Sequence, residues 1–187
     1  MRVHFLTYAT IGTPYEAEAA EMAASLLRFG IAAEIVGIPN LGDWCHNCAQ
    51  KATVVRDAMV RHERDAIVFI DADARFRQRP DLFATLDCDF AAHYRYGVEL
   101  LSSAMYFAPT TTTWRLVQDW VTRCQKQPGV WDQKHLQAAV EDMPTLIVQR
   151  LPASYAAVFD DPKMCAPDDR VIEQLQRSRV HSSTVRA

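Results

Sequence analysis

In the first half of the chain, short apolar runs alternate with longer segments whose apolar residues recur at helical spacing. The apolar runs predict three strands, over residues 3–8, 31–38 and 66–70. The periodic segments predict one helix from Pro14 to a stop at Gly30, and a second from Asn47 to about His62. Because right-handed crossovers return each strand to the same direction, this order predicts a parallel sheet with helices on its faces.

The second half of the chain has a less regular pattern. Apolar runs predict further strands, over residues 89–95, 102–108 and 146–151. Helical spacing predicts helices over residues 112–126 and from Trp131 to just before Pro144. Beyond Phe159 the chain turns polar, and we expect residues 181–187 to form a mobile terminus. No linker or internal repeat interrupts the pattern, so we expect a single α/β domain over residues 1–180.

Composition narrows the class of protein. The chain has 187 residues, of which 49% are hydrophobic and 23% charged, enough for one substantial core. Its net charge of −3 and the lack of a basic block give no electrostatic support for nucleic-acid binding. Charged residues interrupt every apolar stretch before a membrane-spanning length, and the first eight residues are too short and polar for a signal peptide. We therefore expect a cytoplasmic protein without a membrane span.

Cysteine usage fits that expectation. Five cysteines form an odd and scattered set, which favours reduced thiols over a disulfide framework. Two of them lie in a Trp-Cys-x-x-Cys motif, Cys45 and Cys48, which resembles a thioredoxin redox site. A redox motif of that kind directly follows a strand, whereas residues 39–43 intervene here. A zinc site would need further paired ligands, so we interpret the motif as two thiols at a helix start.

Two aspartates directly after the strand over residues 66–70 provide the main candidate chemistry. Asp71 and Asp73 are separated by one small residue and follow a run suited to a strand buried on both faces. In open α/β sheets, ligands bind beyond the carboxyl ends of the strands. Adjacent carboxylates repel each other unless a positive charge lies between them, and a divalent cation bound by oxygen ligands supplies one. The alternative is a loop in which one aspartate caps the next turn.

The glycine-rich sequences of dinucleotide-binding folds and P-loops do not occur.

Other polar and aromatic residues allow several interpretations. Lys51, one turn into the second helix, is either a solvated surface lysine or a cation that faces phosphate. Asp132, at a helix start, is explained by the helix dipole when it is considered alone. Trp114 and Trp120 recur at helical spacing with apolar residues, which favours a place in the core.

The order of short motifs along residues 3–155 resembles that of GT-A-fold glycosyltransferases, of the nucleotide-diphospho-sugar transferase superfamily. The motifs are Thr7-Tyr8-Ala9-Thr10, Trp44-x-x-Asn47-x-x-x-Lys51, Ile70-Asp71-Ala72-Asp73-Ala74, Pro80 to Phe83, Ser103 to Pro109, Trp131-Asp132-Gln133-x-x-Leu136 and Leu151-Pro152. The Asp-x-Asp and Trp-Asp-Gln elements are the most specific. The resemblance implies a three-layer αβα sandwich with a mostly parallel sheet, and metal-dependent transfer of a sugar.

The resemblance also assigns roles to individual residues. It implies that Asp71 and Asp73 bind Mn²⁺ or Mg²⁺ on the donor diphosphate. It places Tyr8, Ala9 and Thr10, in the loop after the first strand, around the base and ribose, and Lys51 near the nucleotide or its phosphates. It implies that Asp132 and Gln133 are catalytic residues that face the acceptor or the transferred sugar. The implied donor is a UDP- or GDP-sugar, and the acceptor is unspecified. A carboxylate at Asp132 could orient a hydroxyl group or act as a base.

Two alternatives to a sugar transferase stay open, and the first arises from a departure from the family pattern. Such enzymes commonly recruit a histidine from the C-terminal part as a further metal ligand, and Gln174 stands where we expect it, with His181 out of register. A catalytically silent nucleotide-sugar-binding protein is therefore one alternative. The other is a metal-dependent phosphohydrolase or phosphotransferase, as in the haloacid dehalogenase type. That class needs its aspartates after the first strand, whereas here they follow the third predicted strand.

Overall fold

A computed structural model of the protein describes residues 2–181. The strands are β1 (Val3–Thr10), β2 (Ala33–Ile38), β3 (Ala66–Ile70), β4 (Ala74–Phe76), β5 (Phe90–Arg95), β6 (Glu99–Phe107), β7 (Val148–Arg150), β8 (Ala157–Val158) and β9 (Ile172–Gln174). The helices are α1 (Tyr15–Leu27), α2 (Trp44–Arg61), α3 (Thr111–Lys126), α4 (Asp132–Glu141) and α5 (Ser178–His181). The predicted mobile terminus, residues 181–187, lies outside the described residues apart from the backbone of His181.

The central sheet has the strand order β2-β1-β3-β6-β5-β7. β1 is parallel to β2 and β3, and β5 is parallel to β7, whereas β6 is antiparallel to both of its neighbours. Helices α2, α3 and α4 pack on one face of this sheet, and α1 packs on the other. The predicted α/β fold, a three-layer αβα sandwich with a mostly parallel sheet, is confirmed.

Strand β3 shows how one short sequence serves two hydrophobic cores. All five of its residues are inaccessible to solvent. Ile67 and Phe69 face the core beneath α2, α3 and α4, whereas Val68 and Ile70 face the core beneath α1. Successive side chains on a strand point to opposite faces, so an unbroken apolar run fills both cores at once. The prediction of a strand over residues 66–70 is confirmed, with the same bounds.

The predicted start of the second helix is wrong. Helix α2 begins at Trp44 because the Asp43 carboxylate accepts a hydrogen bond from the backbone N–H of His46, at 3.0 Å. Asn47 is instead buried inside the first turns, where its Oδ1 accepts a hydrogen bond from the N–H of Leu41, at 2.8 Å. Asn47 thus fixes the loop between β2 and α2 rather than capping the helix.

A second, smaller sheet was not predicted from the sequence. Its strand order is β4-β9-β8, and it pairs the segment directly after Asp73 with the C-terminal part of the chain. Each of these strands has two or three residues, which is too short for a hydrophobic period to be recognised. The polar region after Phe159 therefore returns to the edge of the aspartate pair instead of extending away from it.

Two further expectations concern the membrane and the thiols. Within residues 2–181, no helix is both long and apolar enough to cross a membrane. All five cysteines are free thiols, as predicted. Cys45 and Cys48 lie in the first turns of α2.

Glu173 stabilises the small sheet through two arginines. Its carboxylate is 8% exposed and accepts hydrogen bonds from Arg77, at 2.9 Å for Nε, and from Arg170. Burial alone would raise the pKa of Glu173, but the two guanidinium groups outweigh it and lower that pKa. A lowered pKa in the folded state means that the ionised carboxylate stabilises the fold above the unfolded pKa, and that this stabilisation is lost as the pH falls through the folded pKa.

We predict that Glu173→Gln lowers the free energy of unfolding by about 1–3 kcal/mol at pH 7, because it weakens two charge-assisted hydrogen bonds. The difference from the unaltered protein should shrink as the pH falls below the ordinary glutamate pKa of about 4.3 and through the lowered pKa of the folded state. Urea unfolding between pH 3.5 and pH 7 measures both values. Glu63→Gln, at a side chain that is 79% exposed, should change stability little. An equal effect of Glu173→Gln at all pH values would contradict the ionic role.

Candidate active site

A cavity of about 210 Å³ opens where the carboxyl ends of β1 and β3 meet the amino ends of α2 and α4. Its walls include all eight residues that the sequence assigns to a site: Tyr8, Ala9, Thr10, Lys51, Asp71, Asp73, Asp132 and Gln133. Tyr8, Ala9 and Thr10 belong to the last residues of β1, which is two residues longer than predicted, rather than to a loop. The structure therefore brings residues from distant parts of the chain to one edge of the sheet.

Lys51 lies at the floor of this cavity and is 4% exposed. Its Nζ atom is 2.9 Å from Oδ1 of Asp71 and 3.4 Å from Oδ2 of Asp132. The same ammonium donates hydrogen bonds to the backbone oxygen and the hydroxyl of Ser102, each at 3.2 Å. Lys51 thus bridges two carboxylates from different elements. The solvated surface lysine, one of the two alternatives for this residue, is wrong.

Asp132 and Gln133 occupy the first turn of α4. Asp132 is 4% exposed, and its backbone oxygen accepts a hydrogen bond from the indole N–H of Trp120, at 2.9 Å. The Gln133 amide accepts a hydrogen bond from the N–H of Ser102, at 3.3 Å, and donates one to Glu99, at 3.1 Å. These contacts fix the orientation of both residues at the cavity. Trp120 is fully buried, as predicted, and Trp114 packs partly buried against the same core.

Asp73 is held by the C-terminal part of the chain. Its Oδ2 accepts a hydrogen bond from the backbone N–H of Arg177, at 2.7 Å, and its carbonyl oxygen accepts one from the N–H of Leu175, at 3.1 Å. Gln174, where the sequence suggested a third metal ligand, lies in β9 opposite Ala74 and is 1% exposed. It does not line the cavity.

The C-terminal residues that do line the cavity are Gln176 and Ser178. Gln176 has a left-handed φ of 54°, which turns the chain directly after β9. Among the described residues, Asp71 and Asp73 belong to no group of three histidine, cysteine or carboxylate side chains whose ligand atoms all lie within 4.8 Å of one another. The sequence has Gln174 where a histidine ligand is expected, whereas the residues of this segment that reach the cavity are Gln176 and Ser178. No sequence pattern marks this turn.

The carboxylates of the cavity carry more negative charge than Lys51 neutralises. Burial raises the pKa of Asp71 to about 6 despite the opposing effect of Lys51, and the neighbouring Asp73 and Asp132 add to the rise. Burial likewise raises the pKa of Asp73. Burial alone would lower the pKa of Lys51, but Asp132 and Asp71 raise it well above its ordinary value. Three carboxylates against one ammonium leave a site suited to an added cation.

Aromatic side chains form the rim of the cavity. The rings of Trp44 and Trp131 are 5.4 Å apart with an interplanar angle of 59°, and Trp131 is 42% exposed. Tyr15 also lines the cavity. Cys48 lies behind this rim, where burial raises the pKa of its thiol well above the ordinary value, so it is a poor nucleophile. The rim offers flat apolar surfaces of the kind that bind sugar rings and nucleobases.

Residues 58–182 match the family model for nucleotide-diphospho-sugar transferases. The chain therefore belongs to this family of glycosyltransferases, and the resemblance seen in its sequence is confirmed. The match includes Asp71, Asp73, Asp132 and Gln133, whereas Lys51 precedes it. A search of curated protein sequences finds no significant match.

Solved structures of glycosyltransferases share the fold. The chain is similar to a glycosyltransferase involved in the glycosylation of the major capsid of PBCV-1, with a TM-score of 0.73 and 12% identity over 96% of this chain and 97% of that one. It is also similar to GlyE of Streptococcus pneumoniae TIGR4, with a TM-score of 0.64, 13% identity and coverage of 92% and 54%. The WbbM bifunctional glycosyltransferase has a TM-score of 0.58, 8% identity and coverage of 94% and 46%.

We predict that Lys51→Met lowers the free energy of unfolding by about 2–4 kcal/mol at pH 7, because it leaves Asp71 and Asp132 without their buried counter-charge. The double variant Lys51→Met/Asp132→Asn should lose at least about 1 kcal/mol less than the sum of the two single variants. Urea unfolding of the four proteins in the absence of divalent cations gives this coupling energy. Lys134→Met, at an exposed lysine of α4, serves as the control. Additive losses would contradict the bridging role of Lys51.

Proposed function

We propose that the protein transfers a sugar from a nucleotide-diphosphate donor, a UDP- or GDP-sugar, to an acceptor in a metal-dependent reaction. The observation that carries this proposal is that Asp71, Asp73 and Asp132 line one cavity, with Lys51 paired to Asp71 and Asp132. Family membership supports the nucleotide-sugar donor, and the excess of carboxylates supports the metal. A haloacid dehalogenase-type site receives no such support, because Asp71 follows β3 rather than β1.

The donor set of the cavity fits Mn²⁺ or Mg²⁺. Asp71 uses Oδ1 for Lys51, and Asp73 uses Oδ2 for the N–H of Arg177, so each carboxylate retains a second oxygen as a ligand. Carboxylate oxygens are the ligands that hard divalent cations prefer. When bound, such a cation neutralises the charge that develops on the departing nucleoside diphosphate. Lys51, which stays protonated, adds fixed positive charge beside the same diphosphate.

The end of β1 is the proposed site for the base and ribose. Tyr8 is half-buried, and its hydroxyl donates a hydrogen bond to the backbone oxygen of Asn47, at 3.4 Å. Ala9 and Thr10 are almost fully buried, so they contribute mainly shape and backbone polar groups to the wall. This contact links β1 to the first turns of α2, beside the aromatic rim. A nucleoside in this place would have its diphosphate directed toward Asp71 and Asp73.

Asp132 and Gln133 are the proposed catalytic residues. Oδ2 of Asp132 is buried and has an electrostatic partner in Lys51 but no hydrogen bond within the described residues. A hydroxyl group of the acceptor would satisfy this oxygen, which places Asp132 to orient that hydroxyl or to accept its proton. Gln133 presents a fixed amide next to it, and Trp131 offers an exposed ring at the mouth. The acceptor would therefore enter past Trp131.

We predict that UDP or GDP binds in a Mn²⁺-dependent way, and that Asp73→Asn weakens this binding at least about tenfold, since it removes a charged ligand of the cation. Calorimetric titration with and without Mn²⁺ measures the effect. Asp57→Asn, at a half-exposed aspartate of α2 that pairs with Arg56, is the matched control and should bind like the unaltered protein. Failure of both nucleotides to show metal-dependent binding would contradict the proposed donor site.

We predict that Asp132→Asn keeps Mn²⁺-dependent nucleotide binding within about threefold but lowers the rate of donor hydrolysis at least about 100-fold, because it removes the proposed base. A panel of UDP- and GDP-sugars, assayed for released nucleoside diphosphate, tests this. Asp142→Asn, at the other end of α4, is the control. Metal-dependent binding without turnover on any donor would favour a silent nucleotide-sugar-binding protein. Activity confined to simple phosphomonoesters would favour a phosphohydrolase.

A further inference from the structure

A second group of potential metal ligands lies at the opposite end of the strands from the cavity. His4 is near the start of β1, Glu34 is near the start of β2, and His62 directly follows α2. Nε2 of His4 is 2.8 Å from Oε2 of Glu34, and Nε2 of His62 is 3.3 Å from the same oxygen. Within residues 2–181, this is the one group of three such side chains whose ligand atoms all lie within 4.8 Å of one another.

We propose that His4, Glu34 and His62 bind a transition-metal ion of the Zn²⁺ class, at a site separate from the Asp71 and Asp73 pair. Two imidazole nitrogens and one carboxylate oxygen are donors that Zn²⁺ accepts, whereas Mg²⁺ and Mn²⁺ favour oxygen ligands. A tetrahedral zinc ion with bonds of about 2.0–2.1 Å keeps its ligand atoms about 3.3 Å apart. The two distances at Glu34 are close to this value, and rotation of the two imidazole rings out of their stacked arrangement would direct both Nε2 lone pairs at an ion beside Oε2.

The surroundings of the group hold these side chains in position. The rings of His4 and His62 are stacked, with centroids 3.7 Å apart, so both present Nε2 to the same carboxylate oxygen. The other oxygen of Glu34 accepts a hydrogen bond from Arg61, at 2.5 Å. Arg61 thereby orients the carboxylate with Oε2 toward the histidines, in the way that outer-shell partners orient metal ligands.

Exposure and location indicate what the ion would do. The three side chains are 21–28% exposed, so an ion can enter and water can complete its coordination. The ligands come from β1, β2 and the end of α2, three segments joined by long stretches of chain. An ion held by all three would cross-link the amino ends of β1 and β2 to the end of α2. It would stabilise the folded state by mass action. We therefore assign the site a structural role.

The test uses zinc alone in a background that lacks the other cation site. The Asp71→Asn/Asp73→Asn protein should bind one Zn²⁺ at pH 7.5, measured by competition with a chromophoric chelator. The extended X-ray absorption fine structure of the bound zinc should show imidazole nitrogen ligands. His4→Gln and His62→Gln should each weaken binding at least about tenfold, because glutamine can hydrogen-bond to Glu34 but is a poor zinc ligand. His46→Gln, at an exposed histidine paired with Asp43, should leave the affinity unchanged.

A second measurement detects zinc through its effect on stability and needs no competing chelator. Zinc should raise the thermal unfolding midpoint of the background protein, and this rise should disappear in Glu34→Gln as well as in both histidine variants. Circular dichroism confirms that each variant is folded before the comparison. The proposal is overturned if the background protein binds no zinc, or if zinc binds with unchanged affinity in both His4→Gln and His62→Gln. Zinc bound through oxygen ligands alone would overturn it as well.

Discussion

The buried contact of Lys51 with Asp71 and Asp132 is the interaction on which the candidate active site depends. It joins an ammonium from α2 to a carboxylate at the end of β3 and another at the start of α4. Because Lys51 and Asp132 are almost fully buried, the two carboxylates would repel each other strongly without that charge between them. Lys51 thus allows acidic side chains to gather at one point while the folded state stays stable. The remaining negative charge is what suits the site to a cation.

A second constraint acts on the other side of the aspartate pair. The short strand β4 directly follows Asp73 and pairs with β9, and the turn after β9 delivers the N–H of Arg177 to the Asp73 carboxylate. Asp71 is therefore positioned by the helix layer, and Asp73 by the C-terminal part of the chain. Two carboxylates that are neighbours in sequence are held from opposite directions.

Residues with a strong local signal were predicted well from the sequence. The apolar run of β3 predicts a strand buried on both faces with two aspartates at its carboxyl end, and the structure has this strand, with Asp71 and Asp73 lining the cavity. The burial of Lys51 could not be predicted, since a lysine among alanines fits a surface equally well until Asp132 is known to be near. The small sheet around Gln174 was not predicted because its strands are too short to show a period, and β4 and β9 lie about a hundred residues apart in the sequence.

The bond between Asp73 and Arg177 spans 104 residues and has a consequence for folding. Until this contact forms, Oδ2 of Asp73 lacks its backbone donor, and the cavity lacks the part of its wall that Gln176 and Ser178 provide. Closing so long a loop costs entropy that the small sheet has to offset. A partly folded chain without the small sheet therefore has an incomplete cavity.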